Sequence, residues 1–302
     1  MPARLILNAD DFGLTHGINR AIGELHSAGA ISSATLMASG AAFDDAVEVA
    51  RAHPTLGVGC HIVLTGGAPV SLPCSIRSLI GPDGKNFRPS LVDFVQALLL
   101  GRINEDEVAC EALAQVEKLR RGGIHPTHLD THKHTHLFPG IARPLLQVAE
   151  RCGVRAIRNP FEPGWSLALK HGSHARRIAV RLIGLLRPRF EAHAQLRDGR
   201  MLTTDGTVAI SATGELNATT LAEVLRALPP AGTYELCCHP GYNDGELDRV
   251  TTRLRAHREI EREALLSEIP KALARADAPT LVHYGNLAAE QNSAVPAADV
   301  PF

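Results

Sequence analysis

The organisation of this chain begins with the stretch LILNADDFG, residues 5–13, where a short apolar run meets two adjacent acids. Leu5–Leu7 predicts a short buried strand, and the polar residues Asn8–Gly13 predict a turn that follows it at once. A tight turn on two carboxylates is costly, which favours a functional role for Asp10 and Asp11. The ordinary alternative is that these acids cap the next helix and interact with its dipole.

The rest of the chain continues this alternation of short apolar strands and amphipathic helices. Further strands are predicted at 34–38, 58–63, 155–158, 234–238 and 280–283, and helices at 18–28, 43–52, 91–121, 141–151, 221–228 and 249–275. Within 91–121, Asn104 is a candidate cap for a helix over Glu105–Arg121. Such alternation predicts an α/β fold with a parallel sheet covered by helices. We expect one domain over residues 1–287 and a loosely ordered tail at 288–302.

Composition excludes several classes of protein. The chain has 302 residues, with 31 Lys and Arg against 32 Asp and Glu, and a formal net charge of −1. It lacks the basic excess of a nucleic-acid-binding protein, the apolar core of a signal peptide and the ~20 apolar residues that span a bilayer. Six scattered cysteines are typical of reduced core thiols. We therefore expect a cytoplasmic protein that does not bind nucleic acid.

One segment, residues 165–198, departs from this balance. It has seven Lys and Arg against one Glu and one Asp, with Ile, Val and Leu between the charges. A basic amphipathic helix of this kind can lie on an anionic membrane surface or cover a lipid-binding cleft. It can equally dock on the protein with its arginines in water. We predict an inserted basic helical segment and retain peripheral membrane contact as a hypothesis.

The distribution of histidine points to a functional site. Five of the 15 histidines fall within residues 125–136. Three of these, His132, His134 and His136, alternate along the chain, so that on an extended segment their side chains would point the same way. The ordinary alternative is a surface tract of histidines.

Several predicted strands end in side chains that suit a metal. Asp10 and Asp11 follow the first strand, His61 lies at the end of another, the histidine cluster follows residues 128–131, and His239 follows a later strand. The carboxyl ends of parallel strands share one face of a sheet. Carboxylates and imidazoles together suit Zn²⁺, Co²⁺, Ni²⁺ or Fe²⁺. Taken alone, His61 could be a core histidine and His239 a turn residue.

Four motifs follow one another along the chain: LNADDFGLTHGIN at 7–19, GVGCHIVLTGGAPV at 57–70, PTHLDTHKHTHLFP at 126–139 and ELCCHPGYND at 235–244. In this order and spacing they resemble the YdjC-like carbohydrate deacetylase family. The HKHTH form is similar to the branch associated with hopanoid lipid biosynthesis, and the basic insert suits that branch less specifically. The resemblance implies a distorted (β/α) TIM-like barrel that uses a divalent metal to remove an N-acetyl group from an amino sugar.

The resemblance also implies a role for each motif residue. Asp11 would be the carboxylate ligand, and His61 and His132 the imidazole ligands, of one ion of zinc, magnesium, nickel or cobalt. Asp10 would be the general base, and His239 the general acid or the partner of the oxyanion.

The ligand histidine of the third motif is not settled by this resemblance. Because Lys133 separates two histidines, each of His132, His134 and His136 remains a candidate to reach the metal.

Neighbouring residues are candidates for supporting roles. Asp130, two residues before His132, could orient an imidazole by accepting a hydrogen bond. Arg158 and Asn159 follow a predicted strand and could reach sugar hydroxyls or form a structural ion pair.

The resemblance predicts a metal-dependent N-deacetylase for N-acetylglucosamine-type sugars, with a hopanoid-linked sugar and a chitooligosaccharide as candidate substrates. It suggests a homodimer, and a lipid substrate would place the enzyme at the inner membrane surface through residues 165–198. Two alternatives stay open. One is metal-assisted hydrolysis of another bond, such as a phosphoester; the other is a non-catalytic barrel that binds carbohydrate or lipid.

Overall fold

A parallel sheet built around the first strand organises the molecule. The computed structural model describes residues 2–294, with side chains described through residue 289. Seven strands are present in that part of the chain: β1 (Arg4–Phe12), β2 (Ser33–Leu36), β3 (Gly57–Ile62), β4 (Leu129–Thr131), β5 (Gly206–Val208), β6 (Thr233–Cys238) and β7 (Thr280–Leu281). Their order is β4-β3-β2-β1-β6-β5, and β7 pairs with the start of β1, before β2 joins it.

Helices follow the strands, as the alternation predicts. They are α1 (His16–Ser27), α2 (Phe43–Ala52), α3 (Leu91–Leu99), α4 (Glu105–Arg121), α5 (Pro139–Arg151), α6 (Gly164–Ala168), α7 (His174–Ile183), α8 (Arg187–Glu191), α9 (Ala194–Arg197), α10 (Ala218–Arg226), α11 (Ala256–Leu273) and α12 (Tyr284–Ala294). In α5 the periodic apolar residues, among them Ile141, Leu145 and Val148, are buried in the core. The α/β class is therefore confirmed.

The regular strands form a curled half-barrel and do not complete the TIM-like barrel that we expected. Beyond β4, the predicted strand at 155–158 is reduced to single bridges, Leu129 with Ile157 and Ala156 with Leu202. On the β5 side, the Thr207 amide donates to the carbonyl of Phe161, at 3.1 Å. Isolated contacts thus stand where further ladders would close a barrel.

The first strand is longer than predicted, and the prediction of a turn at Asn8–Gly13 is wrong. Asn8 and Ala9 pair with β2 on one side and with β6 on the other, and the strand runs to Phe12. The register slips between Ala9 and Phe12, and Asp11 has a φ of 64°. Adjacent side chains of a regular strand point to opposite faces, but a bulge re-aims one of them. This distortion lets Asp10 and Asp11 serve one centre.

Several boundaries also differ from the predictions. The helical run at 91–121 is broken by Gly101, at a φ of 65°, while the helix Glu105–Arg121 and its cap Asn104 are as predicted. The tail expected to be loose from residue 288 is helical as far as Ala294, and 295–302 lie outside the described residues. The predicted core thiols are four in number; Cys74 and Cys110 are exposed.

The basic segment is helical, as predicted, but it is divided into the short helices α6 to α9. Phe190, in α8, is fully buried and packs its ring against that of Phe161. Over the part of the chain that the structure describes, no helix has both the length and the apolar character needed to cross a membrane.

Candidate active site

Three side chains from separate elements meet at the carboxyl ends of the strands. Asp11 comes from the bulge of β1, His61 from β3 and His132 from the turn that follows β4. The Oδ1 atom of Asp11 lies 3.8 Å from His61 Nε2 and 3.3 Å from His132 Nδ1. Asp11 and His61 are buried, whereas the side chain of His132 is 26% exposed. The group therefore opens to solvent on the His132 side.

These three residues fit a divalent metal. Asp11 Oδ1 is buried and accepts no hydrogen bond from the described residues, despite the nearness of the His132 ring. An anionic oxygen left without a donor is costly, and a cation would satisfy it. One ligand atom from each of the three lies within 4.8 Å of the others. Two imidazoles and one carboxylate also leave coordination positions for water and substrate.

The second atoms of these ligands are held by neighbours. His61 Nδ1 lies 2.8 Å from Asp130 Oδ1, which fixes the ring so that Nε2 faces Asp11. Asp11 Oδ2 accepts a hydrogen bond of 2.6 Å from Arg258, on α11. Burial alone would raise the pKa of Asp11, but the Arg258 guanidinium holds it well below its usual value. The predicted supporting role of Asp130 is thus directed at His61.

The histidine motif does not adopt the extended conformation on which the alternation argument depended. Residues His132–Leu137 form a 3₁₀ turn, in which Lys133 and His134 have φ values of 58° and 53°. Their side chains are consequently not aligned, and the prediction that three histidines point the same way is wrong. A left-handed pair of residues other than glycine is rare and often marks a functional segment.

Of the three histidines, only His132 joins Asp11. His136 is fully buried; its Nδ1 lies 2.7 Å from Thr131 Oγ1 and its Nε2 lies 3.2 Å from the carbonyl of Arg158. His134 is half-buried and is not part of the group that could hold a metal. Because neither His134 nor His136 is grouped with Asp11, His132 is the candidate ligand from this motif.

Asp10 lies beside this group and is bound on several sides. Arg158 donates to both of its oxygens, with Nη1 to Oδ2 at 2.9 Å and Nη2 to Oδ1 at 2.6 Å. Oδ1 also accepts from Asn8 and Thr35, whereas among the described residues Oδ2 accepts in addition only from the weakly donating Cys237 thiol. Burial would raise the pKa of Asp10, but Arg158 holds it well below its usual value. Asp10 is therefore ionised, and Oδ2 is its less saturated oxygen.

Arg158 is at the centre of a buried ion network. It is fully buried and contacts the carboxylates of Asp10, Asp130 and Glu235. These contacts match the structural ion pair and leave no donor directed at a sugar. Asn159 is similar, because its amide donates to the Thr204 carbonyl and accepts from the backbone of Phe161.

His239 follows β6, and its Nε2 lies 3.9 Å from Asp10 Oδ2. Burial lowers the pKa of His239 to about 4, although Asp10 and Asp11 oppose the shift. It is therefore neutral at pH 7. Its backbone amide donates to the buried carboxylate of Glu261 at 2.6 Å, and burial raises the pKa of Glu261 to about 7.

In the absence of an ion, His61 is protonated at pH 7, in contrast to the neutral His239. Burial alone would lower its pKa, but Asp130 and Asp10 raise it to about 9. A metal ligand must be deprotonated, so binding of an ion here would release a proton.

Four residues of this centre were not identified from the sequence. Arg258 and Glu261 lie on α11, where frequent charges hide the two that are buried. Glu235 had a usable signal, because an acid inside the apolar strand β6 requires a partner. That partner is Arg158, together with Tyr284, whose hydroxyl donates to Glu235 Oε2 at 2.5 Å. Tyr284 lies at the start of α12 and carried no signal.

The helix-cap alternative for the two acids is excluded. Thr15 caps α1 by accepting a hydrogen bond from the Ile18 amide at 3.2 Å. Asp10 and Asp11 belong to β1 and point into the centre just described.

Comparison with known proteins places this centre in a family context. A model of the YdjC-like protein family matches residues 4–276. A carbohydrate deacetylase of Brevibacillus brevis is 40% identical over 158 residues, which are 52% of this chain and 60% of that protein. A carbohydrate deacetylase of Mus musculus is 33% identical over 249 residues, 79% of this chain and 78% of that protein. The chain thus spans about 60% of the length of the first of these relatives.

A solved structure has the same overall architecture. It is that of a proposed cellobiose-phosphate cleavage protein from Enterococcus faecalis, which is 25% identical, with a TM-score of 0.74. The alignment covers 95% of this chain and 99% of that one.

Proposed function

The chain belongs to the YdjC-like protein family, and on that basis we propose that it is a metal-dependent carbohydrate deacetylase. Its proposed substrate is an N-acetylglucosamine-type sugar, from which it hydrolyses the acetyl group. The observation that carries this proposal is the group Asp11, His61 and His132, in which a buried carboxylate oxygen faces two imidazoles. The relatives compared above, which are named carbohydrate deacetylases, support the choice of reaction.

The proposed chemistry divides between the ion and the protein. A divalent metal held by Asp11, His61 and His132 would lower the pKa of a water molecule and polarise the amide carbonyl. Asp10, ionised and fixed by Arg158, can accept the proton of the attacking water at Oδ2. Because Arg158 makes Asp10 a weak base, the proton is readily passed on. His239, 3.9 Å away and neutral, can receive that proton and deliver it to the leaving nitrogen.

The phosphoester alternative is less well supported by this geometry. A two-metal mechanism needs carboxylates that can serve a second ion. The guanidinium of Arg158 lies against Asp10, Asp130 and Glu235, three further acids of the centre. The non-catalytic alternative is less well supported as well, because a simple binding site has no need of an ionised Asp10 aligned with a neutral His239.

The finer predictions belong to the same proposal. The HKHTH motif favours an N-acetylglucosamine unit attached to a hopanoid over a chitooligosaccharide. The homodimer and the cytoplasmic location remain predictions. The identity of the ion is open among zinc, magnesium, nickel and cobalt.

The test combines metal analysis with measurement of released acetate. Purified protein is loaded with each ion in turn and incubated with N-acetylglucosaminyl lipids and with chitooligosaccharides. We expect acetate from at least one substrate class, and we expect Asp11→Asn to lose both the bound ion and the activity. An Asp44→Asn variant, which changes an acid in the first turn of α2, serves as the control. Absence of hydrolysis by metal-loaded protein across the whole panel would refute the proposal.

A further inference from the structure

The helix α7 turns an apolar stripe outward. It has ten residues, of which only Val180 is buried. Ile178 and Leu182 are 45% and 61% exposed, and Leu185, just beyond the helix, is 69% exposed. Their spacings of four and three residues place them on one face. A surface helix normally directs such a stripe at the core, so this stripe is available to another apolar phase.

The outward orientation is fixed by hydrogen bonds. Arg176 Nε donates to the carbonyl of Ile210 at 3.1 Å, and Arg177 Nη1 donates to the carbonyls of Lys170 and Gly172 at 2.8 and 2.7 Å. The Ser173 hydroxyl caps the helix by accepting from the Arg176 amide. The polar anchors of α7 and the side chain of Val180 thus face the protein, whereas Ile178 and Leu182 face solvent.

The surroundings of the stripe are cationic. Between residues 164 and 190 the chain has six Lys and Arg and no Asp or Glu, although the whole chain has a net charge of −1. Lys170, Arg181 and Arg189 are exposed, and none of them forms an ion pair within the described residues. Exposed apolar side chains beside unpaired cations are the signature of a helix that lies on an anionic lipid surface.

The segment that carries the stripe contacts residues near the carboxyl ends of the strands, where the candidate active site lies. The anchor of Arg176, Ile210, comes two residues after the end of β5. Phe190 packs against the ring of His136, with centroids 6.3 Å apart, in the turn that carries His132. A surface that docks on this segment would therefore be near the carboxyl ends of the strands.

We propose that Ile178, Leu182 and Leu185 insert into the interface of an anionic bilayer, with Lys170, Arg181 and Arg189 at the lipid headgroups. The occupant is a lipid surface because a single protruding helix edged by cations matches a flat anionic interface. The docking is independent of the deacetylase activity. Only its use, to bring lipid-linked sugars to the site, rests on the proposed function.

The test is sedimentation of the full chain with vesicles of phosphatidylcholine, with and without phosphatidylglycerol. We expect binding to the anionic vesicles only, and we expect it to weaken as salt screens the charges. The double substitution Leu182→Gln with Leu185→Gln should weaken binding at least about tenfold, since it removes two apolar side chains that would be buried in the bilayer. A matched control is Val92→Gln with Leu99→Gln on α3, where both side chains are 75% exposed outside the basic segment.

Three results would overturn the proposal. One is absence of binding to anionic vesicles at low salt, and another is equal loss of binding in the α3 control. The third is concentration-dependent dimerisation without vesicles that the Leu182→Gln and Leu185→Gln pair abolishes, which would assign the stripe to a second copy of the chain. Hydrolysis of a soluble N-acetyl sugar is measured in parallel and should be unchanged in this variant. The docking and the deacetylase proposals therefore fail by different readouts.

Discussion

The strand-end centre and the basic segment depart from ordinary burial in opposite directions. The centre buries charge: Asp10, Arg158 and Glu235 are at most 3% exposed. The segment exposes apolar side chains, with Leu182 and Leu185 more than 60% accessible. Each of these three charges has a partner of opposite sign within the chain, so most of the departure is balanced internally, and Asp11 Oδ1 is left for a cation. The apolar stripe has no such partner among the described residues, and we propose that its partner comes from outside the chain.

The largest expected effect is on turnover, and it sharpens the first half of this comparison. Asp10→Asn keeps the size of the side chain but removes the proposed base, and we expect turnover to fall by about two to four orders of magnitude. Metal content, measured on the same sample, should be unchanged because Asp10 is not one of the proposed ligands. Full activity in this variant would show that the base is another group.

Removal of the central cation tests whether the buried charges are balanced by each other. Arg158→Met leaves three carboxylates without their shared partner, and it should lower the free energy of unfolding by about 3–5 kcal/mol. Urea unfolding measures this change. Arg121→Met, on the exposed end of α4, is the control and should change stability by less than about 1 kcal/mol. A small effect of Arg158→Met would mean that water compensates these acids.

Glu261 predicts a pH dependence of stability. Its pKa in the folded protein is about 7, above the usual 4.5, so the folded state holds this proton more tightly than the unfolded state. Stability should therefore be lost as pH rises from about 4.5 to 7. Glu261→Gln resembles the protonated form and should gain up to about 3 kcal/mol relative to the parent protein between those pH values. Urea unfolding at pH 5 and pH 8 checks this, with Glu263→Gln on the same helix as control.

A smaller loss is expected at the edge of the ion network. Tyr284→Phe removes the hydroxyl that donates to buried Glu235, and it should cost about 1.5–3 kcal/mol of unfolding free energy. Tyr242→Phe removes a comparable bond to Glu24 at the surface and should cost much less. Equal effects of the two substitutions would contradict the assignment of Glu235 as a buried ion.

The smallest change in unfolding free energy is predicted for the apolar stripe, although replacing a leucine by glutamine usually destabilises a protein. Leu182→Gln and Leu185→Gln should each change stability by no more than about 0.5 kcal/mol, because little apolar area is buried there. By contrast, Leu145→Ala in α5 should cost about 2–5 kcal/mol, since Leu145 is fully buried. Chemical unfolding of the three variants measures these differences in stability. A large loss in the Leu182→Gln variant would mean that the stripe packs on the protein.

The patterns that could be predicted from the sequence are those with a local cause. The helix at 43–52 agrees at both ends, and the cap at Asn104 was identified, because periodicity and cap chemistry act over a few residues. The rule that parallel strands end on one face predicted that the two acids, His61, the histidine cluster and His239 lie together, and the family resemblance singled out Asp11, His61 and His132 among them.

What could not be predicted is conformation imposed by distant contacts. The bulge at Asp11 and the 3₁₀ turn at Lys133 and His134 place residues other than glycine in the left-handed region, which no local pattern favours. The pairing of Arg158 joins residues as far apart as Asp10 and Glu235 along the chain. Only the assembled sheet brings these groups together.

The left-handed backbone at Asp11 has a consequence for how this chain can change in evolution. The residue at position 11 has to meet two independent requirements. The backbone, at a φ of 64°, favours Gly, Asn and Asp, whereas the proposed role of a charged ligand oxygen requires Asp or Glu. Aspartate is the residue that meets both requirements, so any substitution at this position would disturb either the backbone or the proposed ligand. A lineage that abandoned the chemistry would be expected to retain the turn through Asn or Gly.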